Sequence, residues 1–272
     1  MPSRQKLAVA SFLLVAAVCG SGGDVARGSA QTAAPSPRFR ALVFSKVTNY
    51  YHQSIPAGIE AIRKLGREHR FDVVVSDDPA EFTDTRLASF KVVVFNNTNS
   101  TPEKGALLGA AERAAFQRYI RAGGGFAGIH SASGTERDWP WYGELMGAFF
   151  KSHPKIQELT INVEDRTHPS TRGLPPAWIR TEEPYDFIVN PRKRVHVLAS
   201  FDPASYEGHT MGPDHPIAWC HTFEGGRSWY TALGHDASAF SDEPLFQQHL
   251  LGGIEWAAGV AEGACGGPRG PG

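Results

Sequence analysis

The sequence lacks the features that mark several protein classes. Its 272 residues contain 3 cysteines, too few for a disulfide framework. No run of Lys and Arg is interleaved with aromatic residues, and the formal net charge is -1, so nucleic acid is not an expected partner. Beyond residue 30 no apolar run is long enough to span a bilayer. We therefore expect a globular mature chain with no integral membrane segment.

The first residues have the pattern of an export signal. Two basic residues precede an apolar run at 7–18, and small residues then lead to a cleavage-like site ending at Ala30. This predicts a signal peptide over residues 1–30 and a periplasmic or secreted protein. Lipid anchoring at Cys19 is disfavoured, because Val18 is bulky where a lipoprotein signal requires a small residue.

Low-complexity segments bound one domain. Residues 31–37 form a Pro/Ala/Ser linker, and residues 261–272 form a Gly/Pro-rich tail that we expect to be disordered. The domain is predicted to span residues 38–260. Of the cysteines left after cleavage, Cys220 is expected to be a small core residue, and neither it nor Cys265 has a catalytic context.

Short apolar runs alternate with helical patterns in the first half of the domain. The runs at 41–44, 73–75, 92–95 and 126–129 predict strands, and helices are predicted from about residue 55 and over 109–122. Such βαβ units predict a flavodoxin-like, three-layer α/β fold with a mostly parallel central sheet. The same sheet should be extended by strands at 156–163, 195–201, 217–223 and 228–233, followed by a helix at 245–258.

The glycine-rich stretch at 123–128, GGGFAG, literally satisfies the GxGxxG dinucleotide-binding pattern. That pattern must follow a strand and open a helix. Here a predicted helix comes before the glycines, and the predicted strand begins after the first three of them. Gly123 is therefore interpreted as a helix C-terminal cap, and a dinucleotide site is not predicted.

The turn after the fourth predicted strand, residues 128–134 (GIHSASG), has the position and small residues of a nucleophile elbow. The residue at its apex is His130. An imidazole there can transfer protons or bind a metal, but it is a poor replacement for a thiolate in amide hydrolysis. A serine hydrolase using Ser131 or Ser133 is a weaker alternative, because neither serine occupies the apex.

Several segments together resemble one family. The stretch GFAGIHSAS around His130 is similar to the ThuA (trehalose utilisation) family, and six other segments match it in the same order: residues 49–52, 147–154, 168–174, 182–186, 216–219 and 226–236. The resemblance implies a class I glutamine amidotransferase-like fold and a role in the use of trehalose or related disaccharides. Because the Cys-His-Glu machinery of those amidotransferases is missing, it does not imply glutaminase activity.

Four histidines follow or lie in loops expected near one edge of the sheet: His52, His130, His153 and His235. The ends of neighbouring parallel strands converge on one crevice, so these imidazoles are candidates for a divalent transition-metal site or a proton relay. Glu183 or Asp236 could supply a carboxylate ligand. No HExxH motif supports the metal, and a set of unrelated loop histidines is the alternative.

Other residues near this edge are suited to sugars. Adjacent glutamates in an extended segment point in opposite directions, so we expect Glu183 to face the pocket and Glu182 to face water. Aromatic rings can stack on a sugar ring, and amide or phenol groups can bind its hydroxyls. The candidate substrate-binding residues are Tyr50, Tyr51, Asn97, Trp139 and Tyr185.

The leading hypothesis is an exported enzyme of disaccharide or glycoside catabolism, with His130, His52, Glu183 and His235 as catalytic residues. Hydrolysis, elimination and isomerisation are all left open, as is formation of a homo-oligomer. The alternative is a non-catalytic carbohydrate-binding protein. Three other histidines are expected to be structural or solvated: His69, His196 and His249.

Overall fold

The structure is a computed structural model that describes residues 36–265. The predicted signal peptide and most of the predicted linker lie outside the described residues. The strands are β1 (Arg40–Phe44), β2 (Asp72–Ser76), β3 (Val92–Asn96), β4 (Gly125–Ile129), β5 (Phe150–Ser152), β6 (Gln157–Val163), β7 (Ala177–Glu182), β8 (Asp186–Phe187), β9 (His196–Phe201), β10 (His215–Phe223) and β11 (Gly226–Thr231). The helices are α1 (Ile55–His69), α2 (Asp84–Leu87), α3 (Ala110–Arg121), α4 (Pro140–Met146), α5 (Ala237–Asp242) and α6 (Pro244–Ala257).

Nine strands form one sheet in the order β2-β1-β3-β4-β11-β10-β9-β6-β7. The first five in this order run parallel, and the pairings from β11 to β7 are antiparallel. From β1 the chain crosses to β2 at one edge of the sheet, whereas from β3 it crosses to β4, away from that edge. Right-handed crossovers in opposite directions place α1 and α3 on opposite faces of the sheet. The flavodoxin-like α/β prediction is confirmed.

The parallel strands are apolar because both of their faces are covered. Every residue of β3 and β4 is buried. Gly125 begins β4 where an added Cβ would lie 2.1 Å from the carbonyl oxygen of Ala257, so a side chain does not fit there. The positive φ of 92° at Gly123, just after the last turn of α3, confirms the predicted helix cap.

The antiparallel half contains elements that the apolar pattern did not predict. The edge strand β7 alternates buried and exposed residues, and β5 pairs with β8 in a separate two-stranded sheet. Helix α4 was also missed, because it is only 7 residues long. No helix among residues 36–265 is long and apolar enough to cross a membrane.

The beginning of the C-terminal tail is fixed to the domain, contrary to the sequence prediction. Cys265 forms a disulfide with Cys220 of β10, and both residues are buried. The indole Nε1 of Trp256 donates a hydrogen bond to the carbonyl of Gly263 at 3.0 Å. The prediction of a disordered tail is therefore wrong for residues 263–265, where the disulfide and this hydrogen bond hold the chain; residues 266–272 lie outside the described part.

Candidate functional site

The candidate site lies beyond the carboxyl ends of the parallel strands. His52 follows β1, Asn97 directly follows β3, His130 directly follows β4, and His235 follows β11. The order of strands reverses between β1 and β3, and open α/β sheets bind ligands at such a switch point. The sequence prediction of one shared edge is consistent with this arrangement.

The backbone at His130 has the left-handed conformation of an elbow. Its φ is 49°, a conformation that costs free energy for a residue other than glycine and is concentrated at functional sites. The side chain is fully buried. Its Nδ1 lies 2.6 Å from the carbonyl oxygen of Ala232, so Nδ1 is the protonated nitrogen that donates to this carbonyl. Nε2 is left facing the point that His130 shares with His52, Glu183 and His235.

Three imidazoles and one carboxylate converge. His52, His130, Glu183 and His235 each offer one ligand atom, and these atoms all lie within 4.8 Å of one another. Oε2 of Glu183 is 3.2 Å from Nε2 of His130 and 2.9 Å from Nδ1 of His235. Yet the Nδ1 of His52, the Nε2 of His130 and the Nδ1 of His235 make no hydrogen bond of acceptable geometry within the described chain.

The local electrostatics follow from this crowding. Burial, reinforced by the charges of His130 and His235, lowers the pKa of His52 to about 3, so this imidazole is neutral near pH 7. Burial raises the pKa of Glu183, but its polar contacts with His130 and His235 outweigh burial and hold the pKa below its usual value. The contact with Glu183 raises the pKa of His235. Glu183 is therefore the anionic group of the site.

Glu182 has a role that the sequence did not predict. Its side chain is buried rather than facing water, because it lies on the inward face of the edge strand β7. The carboxylate accepts hydrogen bonds from the backbone N–H groups of Gly234, His235 and Glu183, at 3.1, 3.2 and 3.1 Å. It therefore ties together the two segments that carry Glu183 and His235. The expectation that Glu182 faces solvent was wrong.

His153 and Tyr185 surround the four converging residues. His153 lies at the rim, with its Nδ1 3.1 Å from Oε1 of Glu183 and 2.9 Å from the carbonyl of Pro154. Its side chain is 44% exposed, and it is not among the converging ligands. The ring of Tyr185 stacks on His130 with centroids 4.1 Å apart and is buried. The Tyr185 ring therefore covers His130, and because Tyr185 is itself buried, little of its own ring is exposed for a ligand to contact.

The other predicted sugar-binding residues divide into two groups. Tyr50 and Tyr51 are 58% and 49% exposed, and the Tyr50 ring contacts His52 at 4.7 Å. Trp139 is instead packed against Trp141 in the core, so its expected role in stacking on a sugar is replaced by a packing role. Asn97 is also buried.

The amide of Asn97 is bonded to the protein. Its Nδ2 donates to Ser54 Oγ and to the Gly234 carbonyl, both at 3.2 Å. It therefore supports the loops around the site instead of offering its amide to a ligand. Its positive φ of 52° matches that of His130 at the end of the neighbouring strand.

The two serines of the elbow have structural partners. Ser131 Oγ donates to the carbonyl of Thr98 at 3.0 Å, and Ser133 Oγ lies 2.9 Å from the hydroxyl of Tyr230. Neither hydroxyl has a histidine base as a hydrogen-bond partner in the described structure. The serine hydrolase alternative gains no support from this geometry.

His249 is buried in α6, against the expectation of a solvated histidine. Its Nδ1 lies 2.9 Å from the Ser170 carbonyl, and its Nε2 lies 3.1 Å from Thr231 Oγ1. His196 faces Asp165 at 2.8 Å, and His69 ends α1, so both have the structural contexts expected for them.

Comparison with known proteins gives a consistent assignment. The family model described as ThuA, trehalose utilisation, matches residues 40–257. A ThuA-like protein from Bacteroides uniformis is 25% identical with a TM-score of 0.67, over 85% of this chain and 95% of that one. A ThuA-like protein from Parabacteroides merdae is 22% identical with a TM-score of 0.64, over 84% and 93% of the two chains. A search of curated proteins found no match.

Proposed function

The chain belongs to the ThuA family, and from this premise we propose that it is an exported, metal-dependent enzyme acting on a disaccharide or glycoside. The proposed metal ligands are His52, His130, Glu183 and His235. Glutaminase activity is not part of the proposal, since His130 occupies the elbow position where an amidotransferase needs a cysteine thiolate.

The convergence of orphaned ring nitrogens carries the proposal. A buried polar atom without a hydrogen-bond partner costs about 1–3 kcal/mol, and three imidazole nitrogens here share that condition around one carboxylate. A cation bound between them would satisfy all three at once. The three unpartnered nitrogens and the carboxylate of Glu183 therefore fit a bound metal ion.

The donor set suits a divalent transition metal. Imidazole ligands favour zinc, copper, iron or nickel, and one carboxylate adds a hard oxygen donor. A metal-binding histidine usually donates the N–H of its other ring nitrogen to a carbonyl or carboxylate oxygen. His130 Nδ1 donates to the Ala232 carbonyl in this way. When bound, such a metal supplies Lewis-acid polarisation of a substrate oxygen.

The chain's own residues would hold the metal and contact the substrate. His52 is neutral near pH 7 because of burial, so its ring can bind a metal without first losing a proton. His153 is half-exposed at the rim and contacts Glu183, so both solvent and a substrate can reach it. The exposed rings of Tyr50 and Tyr51 can contact the apolar face of a sugar beside His52.

Export is supported by an observation independent of the first 30 residues. Disulfides persist in oxidising compartments and are rare in the cytosol, and Cys220 and Cys265 are joined. A periplasmic or secreted location is therefore part of the proposal. Homo-oligomer formation is left to measurement.

A second candidate is a carbohydrate-binding protein without turnover. The exposed Tyr50 and Tyr51 rings favour it, because a sugar platform requires no acid or base. A bound disaccharide that is recovered unchanged from metal-loaded protein would favour this candidate over the enzyme.

The test is metal content by elemental analysis of the wild type and a His130→Asn variant, before and after chelation. Asparagine tolerates the left-handed backbone at this position better than alanine, which limits misfolding. We expect one metal per wild-type chain and at least about a tenfold loss of affinity in the variant. His196→Asn, outside the site, is the control and should bind metal normally. Equal metal content in wild type and His130→Asn would refute the metal centre.

A further inference from the structure

A second cluster of potential metal ligands surrounds the disulfide. It consists of His168, Cys220 and Cys265, which are all buried and whose ligand atoms lie within 4.8 Å of one another. The cluster shares no residue with the converging group at the sheet edge. Its chemistry is therefore separate from that of the candidate site.

Three distant parts of the chain form this cluster. His168 lies between β6 and β7, Cys220 lies in β10, and Cys265 follows α6. The tail that carries Cys265 packs directly on the imidazole, since a Cβ added at Gly263 would lie 3.0 Å from Cδ2 of His168. The ring and the two sulfur atoms are therefore held together by the fold and not by local sequence.

The Nε2 atom of His168 is buried and has no hydrogen-bond partner within the described chain. Buried polar atoms are rarely left in this condition in native proteins. The neighbouring disulfide does not relieve it, because sulfur is only a weak acceptor. The cluster therefore contains a nitrogen whose binding capacity the disulfide form does not use.

The other ring nitrogen of His168 is bonded to Ser170. The backbone N–H of Ser170 donates to Nδ1 at 3.2 Å, which places the proton of the neutral ring on Nε2. Ser170 Oγ lies 2.8 Å from the same Nδ1 and can instead accept a hydrogen bond from a protonated Nδ1. Burial lowers the pKa of His168 to about 3, so the ring is neutral near pH 7. A shift of the ring proton to Nδ1 therefore frees Nε2 for a metal, with Ser170 as the outer contact.

We propose that reduction of the Cys220–Cys265 disulfide creates a metal site in which both thiolates and Nε2 of His168 bind one Cu(I) ion. A dithiol reductant supplies two electrons and two protons: its own sulfurs become joined, and the Cys220–Cys265 bond is broken to give two thiols. Both thiol protons leave when the sulfurs bind the ion, and the copper stays Cu(I) throughout. The inference does not depend on the proposed function.

The set of donors selects this ion. Thiolate and imidazole ligands suit both Cu(I) and zinc, but a closed structural zinc site usually has four protein ligands. In the described part of the chain three ligand atoms converge here, and all three residues are buried. Once their bond is broken, the two sulfur atoms can separate to the spacing that a shared ion requires. Cu(I) then replaces the disulfide as the link between β10 and the tail.

Anaerobic titration with Cu(I) against the chromophoric competitor bicinchoninate tests the site. The mature His130→Asn protein is the parent, because its sheet-edge group should bind metal weakly. It is titrated in the disulfide form and after treatment with dithiothreitol, which is then removed; a thiol assay should show two new thiols per chain. We expect one Cu(I) per reduced chain and none in the disulfide form. The wild type should gain one Cu(I) on reduction as well.

Adding His168→Asn should weaken Cu(I) binding by at least about tenfold, since the amide can keep a contact with Ser170 but has no atom in place of Nε2. X-ray absorption should show sulfur and nitrogen ligands in the parent and lose the imidazole signal in this variant. His221→Asn is the matched control: this buried histidine follows Cys220 in β10 but faces the other side of the sheet, where its Nε2 lies 2.8 Å from the Leu145 carbonyl. It should bind Cu(I) as the parent does.

Three results would overturn the inference. They are a disulfide that resists the dithiol in the folded protein, a reduced protein that binds no more Cu(I) than the oxidised one, and equal affinity with and without His168→Asn. Each of them leaves the sheet-edge metal centre untouched, because that group shares no ligand with this one.

Discussion

Two groups of buried histidines in this chain differ in what their ring nitrogens contact. In α6, His249 is buried and both of its nitrogens have partners, in Ser170 and Thr231. At the sheet edge, His52 and His130 are equally buried, but each keeps one nitrogen without a hydrogen-bond partner in the described structure. His249 is therefore a packed core residue, whereas His52 and His130 are arranged around a point that they share with Glu183 and His235.

The comparison teaches that burial and titration alone do not identify a functional histidine. Burial lowers the pKa of His249 to about 4 and contributes most to lowering that of His52 to about 3. Both are neutral near pH 7. What separates them is that His52 keeps an unpartnered nitrogen, whereas His249 has none, and that Glu183 lies beside the neighbouring rings of His130 and His235.

Glu182→Gln tests whether the sheet-edge group depends on the contacts that position it. The change removes one of the two carboxylates that pair with the buried Arg180. We expect a loss of about 3 kcal/mol in the free energy of unfolding, the low end for a broken buried pair, because Glu243 still contacts the guanidinium. It also weakens the hold on the backbone of Glu183 and His235, which should lower metal affinity by about 10–100-fold. Urea unfolding and a metal titration measure the two effects.

Asp202→Asn is a control for that variant, since Asp202 also accepts a backbone hydrogen bond and is not one of the converging residues. It should leave metal affinity unchanged. A Glu182→Gln protein that unfolds more easily but binds metal with wild-type affinity would show that Glu182 stabilises the fold without positioning the site.

Cys265→Ser tests a third environment of a buried histidine, the one that His168 shares with the disulfide. His168 is buried with an unpartnered Nε2, and this residue belongs to a cluster with Cys220 and Cys265. Loss of the disulfide should reduce the free energy of unfolding by about 3 kcal/mol, and a reducing agent should bring the wild type to the same value. Urea unfolding with and without reductant measures it.

The same variant should still bind one metal per chain, because the disulfide contributes no ligand to the sheet-edge group. A metal content that falls with the disulfide would mean that the two groups are coupled. A second metal in the reduced wild type would place a site at His168.

His249→Asn should have the smallest effect. The amide retains polar contacts but cannot fill the space of the ring, so we expect a loss of about 1–3 kcal/mol in stability. Metal content and turnover should equal those of the wild type. If His249→Asn instead lost metal as His130→Asn is expected to, the distinction between the two groups would not hold.

Much of the fold followed from apolar periodicity in the sequence. The strands at β1, β2, β3 and β4 were predicted to within one residue, because strands covered on both faces are continuous apolar runs. The edge strand β7 was missed. It has one solvent-facing side, so polar residues interrupt its apolar pattern and it carries both Arg180 and Glu182.

The sequence by itself determined that His52, His130 and His235 follow strands whose ends meet at one edge, since strand order and crossover handedness bring those ends together. Only the tertiary structure decided that Glu182 is buried beside the site, that His153 stays at the rim, and that Cys220 and Cys265 are joined. These outcomes depend on contacts between segments far apart in the chain and on the register of an edge strand. Local sequence patterns carry no information about either.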